Sequence, residues 1–163
     1  MRSTLVVASI LAVCLALPGG ERPAGAAVIP MDLNRLVDGA EVALRGDVVA
    51  AEPAWTADGS MIYTTYTLRT TEALMGQVPG EVQVRVPGGT LNGMRIRNGE
   101  APVFTLGEDV VCFLRPEVSG AQWTTYGWFQ GKYTLIDGMV REMVGVDYEA
   151  FRADILQAVA EKK

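Results

Sequence analysis

The chain has 163 residues, with 14 basic and 19 acidic side chains, a formal net charge of −5, two cysteines and no histidine. Without an imidazole there is no Ser-His-Asp triad, no Cys-His pair and no His-ligated zinc. The charges are scattered and their balance is acidic, which argues against nucleic acid as a partner, because phosphate has to be neutralised by Lys and Arg.

Residues 1–26 read as an export signal. Met1 and Arg2 precede an apolar run from Leu5 to Leu17, "PGG" breaks it, and Ala24-Gly25-Ala26 offers an A-x-A site with cleavage before Ala27. The run is shorter than the ~20 residues needed to span a bilayer, so no stable membrane insertion is expected after cleavage. A lipid anchor on Cys14 is disfavoured, because that cysteine lies inside the apolar run rather than at its end. The expectation is an exported protein, periplasmic or secreted. Residues 27–163 then form a single domain, large enough to bury a core without staples. Losing Arg2, Glu21 and Arg22 makes the processed chain one charge more acidic. It also leaves Cys112 alone, which excludes an internal disulfide and a cysteine zinc site. Within "EDVVCFLRP" that thiol is expected to be a small buried hydrophobe rather than a nucleophile.

The first element is a short helix in "DLNRLVDGAE", capped by Asp32, with Leu33, Leu36 and Val37 on one face and Gly39 ending it. Alternation of Val42, Leu44, Gly46 and Val48 predicts a strand over 41–53 with a bend or bulge at Gly46. Asp58-Gly59 signals a hairpin into a second strand over 61–74, rich in β-branched and aromatic residues. Residues 81–87 alternate cleanly, and "MRIRNG" predicts a short strand. The continuously apolar 107–116 suits a strand buried on both sides or closing a barrel. Two or three strands are expected between Gln122 and Glu142, with a second hairpin at Asp137-Gly138. The period then changes. Tyr148, Phe151, Ile155 and Val159 share a helical stripe, Asp147 caps it, and Lys162 and Lys163 suit the end of its dipole. Short strands with helices only at the ends predict a small barrel or rolled sheet, α+β and mainly β.

The glycine-rich stretch "VPGGTLNGMRIRNG" is the first place to look for chemistry. It has no Lys-Ser/Thr and no following helix, so it is not a phosphate-binding loop. Gly88, Gly89 and Gly93 have the wrong spacing for a dinucleotide site. Its glycines and its two Asn-Gly pairs are expected to shape the chain: a sharp exit at Gly88-Gly89 and tight turns at Asn92-Gly93 and Asn98-Gly99. In "QGK", Lys132 is either an anion contact or, as preferred, part of a strand bulged at Gly131. Trp123, Tyr126, Trp128 and Phe129 are expected to split between the core and a partly covered face, the alternative being a ligand platform at a barrel mouth. Trp55, just before a polar turn, is the candidate exposed anchor. Asp47, Glu52, Glu72, Glu100, Glu108 and Asp109 form no acid–base pattern in sequence, and no calcium loop occurs. No cofactor or metal is expected.

The order of "RLVDGAE", "VALRGDVV", "DGSMIYTTYTL", "EALMGQ", "VQVRVPGGTLNG", "GEAPVFTLGEDVVCFL" and "QGKYTL" over residues 33–136 resembles a family of uncharacterised secreted bacterial domains. More distantly, E-x-L-x-G at 72–76, V-x-V at 82–84 and G-E-x-V-x-x-F at 107–113 look like the OB-fold module of tissue inhibitors of metalloproteinases and netrin-like domains. That resemblance implies an OB-like barrel of five to six strands, with a short N-terminal helix and a C-terminal helix packed on it. The inhibitory mechanism does not carry over. In those proteins an N-terminal cysteine chelates the protease zinc and disulfides pin the chain, and neither is present here. The expected function is a non-enzymatic binding module for an envelope or extracellular protein, using Trp55, Trp128 and Lys132. The alternatives are a hydrolase-like enzyme working through carboxylates or Lys132, and a single-stranded nucleic-acid binder.

Overall fold

A computed structural model describes residues 30–118, 120 and 122–162. The expected export signal, Cys14 and Lys163 lie outside the described residues. Helix α1, Leu33–Gly39, forms where expected: the Asp32 carboxylate accepts from the Arg35 amide at 2.8 Å, and Leu36 and Val37 are buried. Strands β1, Val42–Trp55, and β2, Ile62–Met75, make a long antiparallel hairpin around Asp58-Gly59. Its register shifts between Arg45 and Gly46, the position read as a bulge, and again between Val48 and Ala50.

Strand β3, Glu81–Pro87, continues the meander, and β4, Gly89–Leu91, pairs with β5, Met94–Ile96, in a small separate hairpin. Strands β6, Asp109–Pro116, β7, Trp123–Thr125, β8, Lys132–Ile136, and β9, Met139–Val140, complete the main sheet of seven strands. The pairings run β1–β2–β3–β7–β6–β8–β9, and β6 also pairs with β1. Among the described residues only the β3–β7 contact, Val84 opposite Trp123, is parallel.

Two apolar clusters flank this sheet. One lies under the helices and holds Leu36, Val37, Ala43, Val111, Phe113, Phe151 and Ile155. The other holds Val42, Leu44, Val48, Leu68, Val82, Val84, Val110, Cys112 and Leu114. Alternate residues of β6 enter alternate clusters, so both its faces are covered. That explains why its sequence is apolar throughout instead of alternating. Each fully buried Leu, Val or Phe here is worth roughly 1.5–3 kcal/mol against exposure.

Gly88-Gly89 turns the chain sharply and Asn92-Gly93 (φ 51° and 78°) makes the tight turn, both as read, and residues 89–91 between them add the unexpected strand β4. One other local expectation changes. Residues Trp128–Gly131, read as strand with a bulge, form a 3-10 turn. The reason is crowding: a Cβ on Gly131 would lie 1.9 Å from the Tyr126 carbonyl oxygen, so the backbone folds directly onto its own preceding segment. Helix α2, Tyr148–Glu161, starts at Asp147 and ends at Lys162 as read, while the Lys162 ammonium also reaches across to α1, donating to the Val37 and Ala40 carbonyls at 2.8 and 3.1 Å. Among the described residues no helix is long and apolar enough to cross a membrane.

Candidate functional site

The glycine-rich stretch sets the geometry of the site. At the end of β3 the Gly88 amide donates to the Ile62 carbonyl at 2.8 Å, and the Gly88 carbonyl accepts from the Thr64 hydroxyl at 2.8 Å. Both Gly88 (φ 108°) and Gly89 (φ 149°) are left-handed, and a Cβ on Gly89 would lie 2.4 Å from Thr64 Oγ1. The two glycines therefore turn the chain hard against β2, and the β4–β5 hairpin crosses the end of the β1–β2 ribbon. A groove of about 640 Å³ opens between the hairpin, the sheet and the segment 97–104, lined by Pro53, Tyr66, Val86, Arg95, Arg97 and Phe104 among others.

Lys132 holds one wall of this groove. Its ammonium donates to the Val103 carbonyl at 2.8 Å, to Glu108 Oε2 at 2.9 Å and to Thr134 Oγ1 at 2.9 Å, which uses all three protons. The same Glu108 oxygen accepts from the Thr105 amide at 2.9 Å. Lys132 is only 5 % exposed and lies 5.2 Å from the centre of the Phe104 ring, which packs on Tyr66 at 5.0 Å. It is an internal tether for the 103–108 segment. Cys112 is buried below, its thiol pushed up to about 12 by loss of solvent.

On the other side of Pro87, which lines both hollows, lies a second one of about 310 Å³. Tyr63, Arg85, Arg115, Glu117, Tyr126 and Trp128 line it. Arg85 pairs with Glu117 at 2.8 Å and stacks over Tyr63 at 4.0 Å, while Arg115 faces the Tyr126 ring at 5.5 Å. Trp128 opens the 3-10 turn with a left-handed backbone (φ 57°), and the following Phe129 amide donates to the Glu100 carbonyl at 3.0 Å. Their side chains remain 47 % and 45 % exposed. A tryptophan held left-handed is strained, and such strain persists only where the surroundings impose it.

The aromatic cluster divides as preferred. Trp123 packs on one core and Tyr126 on the other, while Trp128 and Phe129 face out. Trp55 is 36 % exposed, sits opposite the buried Ile62 at the end of the ribbon and lines neither hollow. Of the three residues picked from sequence, only Trp128 lines a hollow. Arg95 and Arg97 were missed as site residues. Their alternation inside "MRIRNG", bracketed by two Asn-Gly turns, was the available signal.

The carboxylates near strands are spread over structural pairs. Asp109 receives Arg45 in a forked contact, with Nη2 to Oδ2 at 2.6 Å. The Arg45 guanidinium lies 4.1 Å from the centre of the Tyr148 ring, and the Tyr148 hydroxyl and Arg152 both donate to Glu72 at 2.5 Å. This chain of contacts clasps α2 to the sheet. Burial pushes the Tyr148 hydroxyl up to about 12, helped by Glu72. Burial works to raise Glu72, but the Tyr148 and Arg152 hydrogen bonds outweigh it and hold that carboxyl below its ordinary value. Among the described residues no three His, Cys, Asp or Glu side chains converge as a metal would require. No family model matches the chain, and no curated protein matches it.

Proposed function

We propose that this is an exported, non-enzymatic binding module with an OB-like barrel, and that its partner is an envelope or extracellular protein. The strand order supports the barrel reading. The pairings proceed β1–β2–β3–β7–β6 and return to β1, with the β3–β7 pair parallel, the order expected of a five-stranded Greek-key barrel. The apolar run at the N-terminus supports export.

The observation that carries the binding reading is the outward pair Trp128–Phe129. Two large aromatics stand side by side on a strained, tethered turn beside a hollow. Rigid, partly exposed aromatics of this kind are the usual anchors of protein interfaces. An enzyme working through Lys132 or the carboxylates has less support, because Lys132, Glu108, Glu72 and Asp109 are already engaged in holding loops and helix. Nucleic acid has less again, given the acidic balance.

Photo-crosslinking tests this reading. A photoreactive amino acid at Trp128, or at the exposed Met94 on the hairpin, should give a discrete protein adduct in the native envelope fraction. The same group at the exposed Val144, between β9 and α2, should give none. If all three positions give the same pattern, or none gives an adduct, the binding-module reading fails.

A further inference from the structure

The groove on the hairpin side of Pro87 contains an electrostatic imbalance. The described ion pairs use Arg45, Arg85, Lys132, Arg141 and Arg152. Arg95 and Arg97 line the groove, and their side chains make no ion pair, hydrogen bond or ring contact among the described residues. No Asp or Glu lines the groove with them, although acids outnumber bases in the chain. The rest of the lining is uncharged: apolar at Pro53, Val86 and Pro102, neutral polar at Thr64, Thr90 and Asn98, with backbone exposed at Gly89 and Gly99. The hollow is therefore a cationic, partly apolar trough whose two arginines are exposed and have no acidic neighbour in its lining.

We infer that this groove binds an extended acidic segment of a partner polypeptide, with carboxylates on alternate residues, Asp/Glu-x-Asp/Glu, held by Arg95 and Arg97. This deepens the binding-module reading and rests on it. The spacing fits. Two residues of extended chain span about 7 Å, so carboxylates at i and i+2 of a bound strand suit arginines placed two residues apart at the end of β5. Each guanidinium offers a planar fork to one carboxylate, the geometry that favours Arg over Lys. The apolar lining takes the intervening side chain. A volume of about 640 Å³ accommodates a few residues rather than a whole domain. Nucleic acid fits less well. Only two cations line the trough, and the Tyr66 ring packs against Phe104 and is not free to stack on a base.

The test is selection of linear peptides from a random phage-displayed library on the immobilised chain, followed by binding of synthetic fluorescein-labelled hits. The expected result is enrichment of acidic residues at alternate positions and affinity that falls with added salt. Arg95→Ala and Arg97→Ala together should weaken binding by at least about tenfold, consistent with charged hydrogen bonds. The double variant should keep the thermal midpoint of the parent, which separates lost contacts from misfolding. Arg95→Glu with Arg97→Glu should reverse the preference towards basic peptides.

Several outcomes overturn the inference. Enriched peptides without acidic alternation, or hits bound equally by both double variants, sink the acidic-segment assignment and leave the module reading standing if adducts still form at Trp128. A single-stranded oligonucleotide that binds more tightly than every peptide, and loses that binding in Arg95→Ala/Arg97→Ala, replaces the peptide with nucleic acid. If no peptide is enriched and no adduct forms at Trp128, both readings fall.

Discussion

The two hollows on either side of Pro87 contain the same residue types and treat them in opposite ways. In the smaller one Arg85 has a carboxylate at 2.8 Å and a tyrosine ring beneath it, and Arg115 has Tyr126. In the larger one Arg95 and Arg97 have neither. Arginine is costly to order and gives little when it is merely solvated, so the paired arginines belong to the fold and the free ones are available to a ligand. Guanidiniums alone therefore do not identify a site. What identifies it is a guanidinium whose neighbours have been cleared of acids.

Four tests bear on that contrast, and the largest effect is expected at Lys132. Its ammonium serves three acceptors while almost fully buried, and removing one member of a buried pair costs about 3–5 kcal/mol. Lys132→Ala should lower the urea midpoint accordingly and release the 103–108 wall of the larger hollow. The aromatic face at Trp128 should keep its near-ultraviolet signal in conditions where the variant is folded. An unchanged midpoint would show that the tether is dispensable.

Next comes Gly89→Ala. Its Cβ would collide with Thr64 Oγ1 at a left-handed backbone position, at a cost of about 1–3 kcal/mol. Proteolysis should become faster within the β4–β5 hairpin and remain unchanged at Trp128. Wild-type resistance in the hairpin would mean that Thr64 simply rotates away.

The contrast between the arginines is read directly by a matched pair of variants. Arg85→Ala loses a partly buried ion pair and a ring contact and should cost about 0.5–1 kcal/mol. Arg95→Ala should stay within about 0.5 kcal/mol of the parent, as surface substitutions without partners do. Equal losses would erase the distinction drawn here.

The smallest effect is the pH dependence set by Glu72. Its folded-state pKa is depressed, so it contributes stability above the ordinary carboxyl value of 4.5, and that contribution is lost as pH falls through the lower folded value. Denaturation curves at pH 7 and pH 3 should converge in Glu72→Gln relative to the parent, whose α2 clasp weakens in acid. A parent and variant with parallel acid limbs would contradict this assignment.

Much of the strand plan was legible because it rests on local rules. Alternation marked β1 and β3, β-branched and aromatic residues marked β2, both Asp-Gly steps became hairpins, and the two aspartates capped their helices as read. What escaped depends on contacts distant in sequence. The 3-10 turn at Trp128 exists because Gly131 is pressed against the Tyr126 carbonyl, and no propensity encodes that approach. Lys132 looked like a possible anion contact because its acceptors, Val103 and Glu108, come from a loop over twenty residues away. Lys162 ends its own helix as its position suggests, but the carbonyls its ammonium reaches belong to α1. The larger hollow is legible only after folding, when Arg95 and Arg97 come to lie among residues from β1, β2 and β3.

The two-sided burial of β6 has a consequence for amide exchange. Val111 and Phe113 serve the helix-side cluster, while Val110, Cys112 and Leu114 serve the other, and β1 is hydrogen-bonded alongside. Opening either cluster exposes a strand on which the other depends, so the backbone amides of Val110–Leu114 and of Val42–Leu44 should exchange with solvent deuterium only through global unfolding. The β4–β5 hairpin contributes to neither cluster, so its amides should exchange through small local openings. Hydrogen–deuterium exchange should therefore separate two clocks, a slow one in β1 and β6 and a fast one at the rim of the larger hollow.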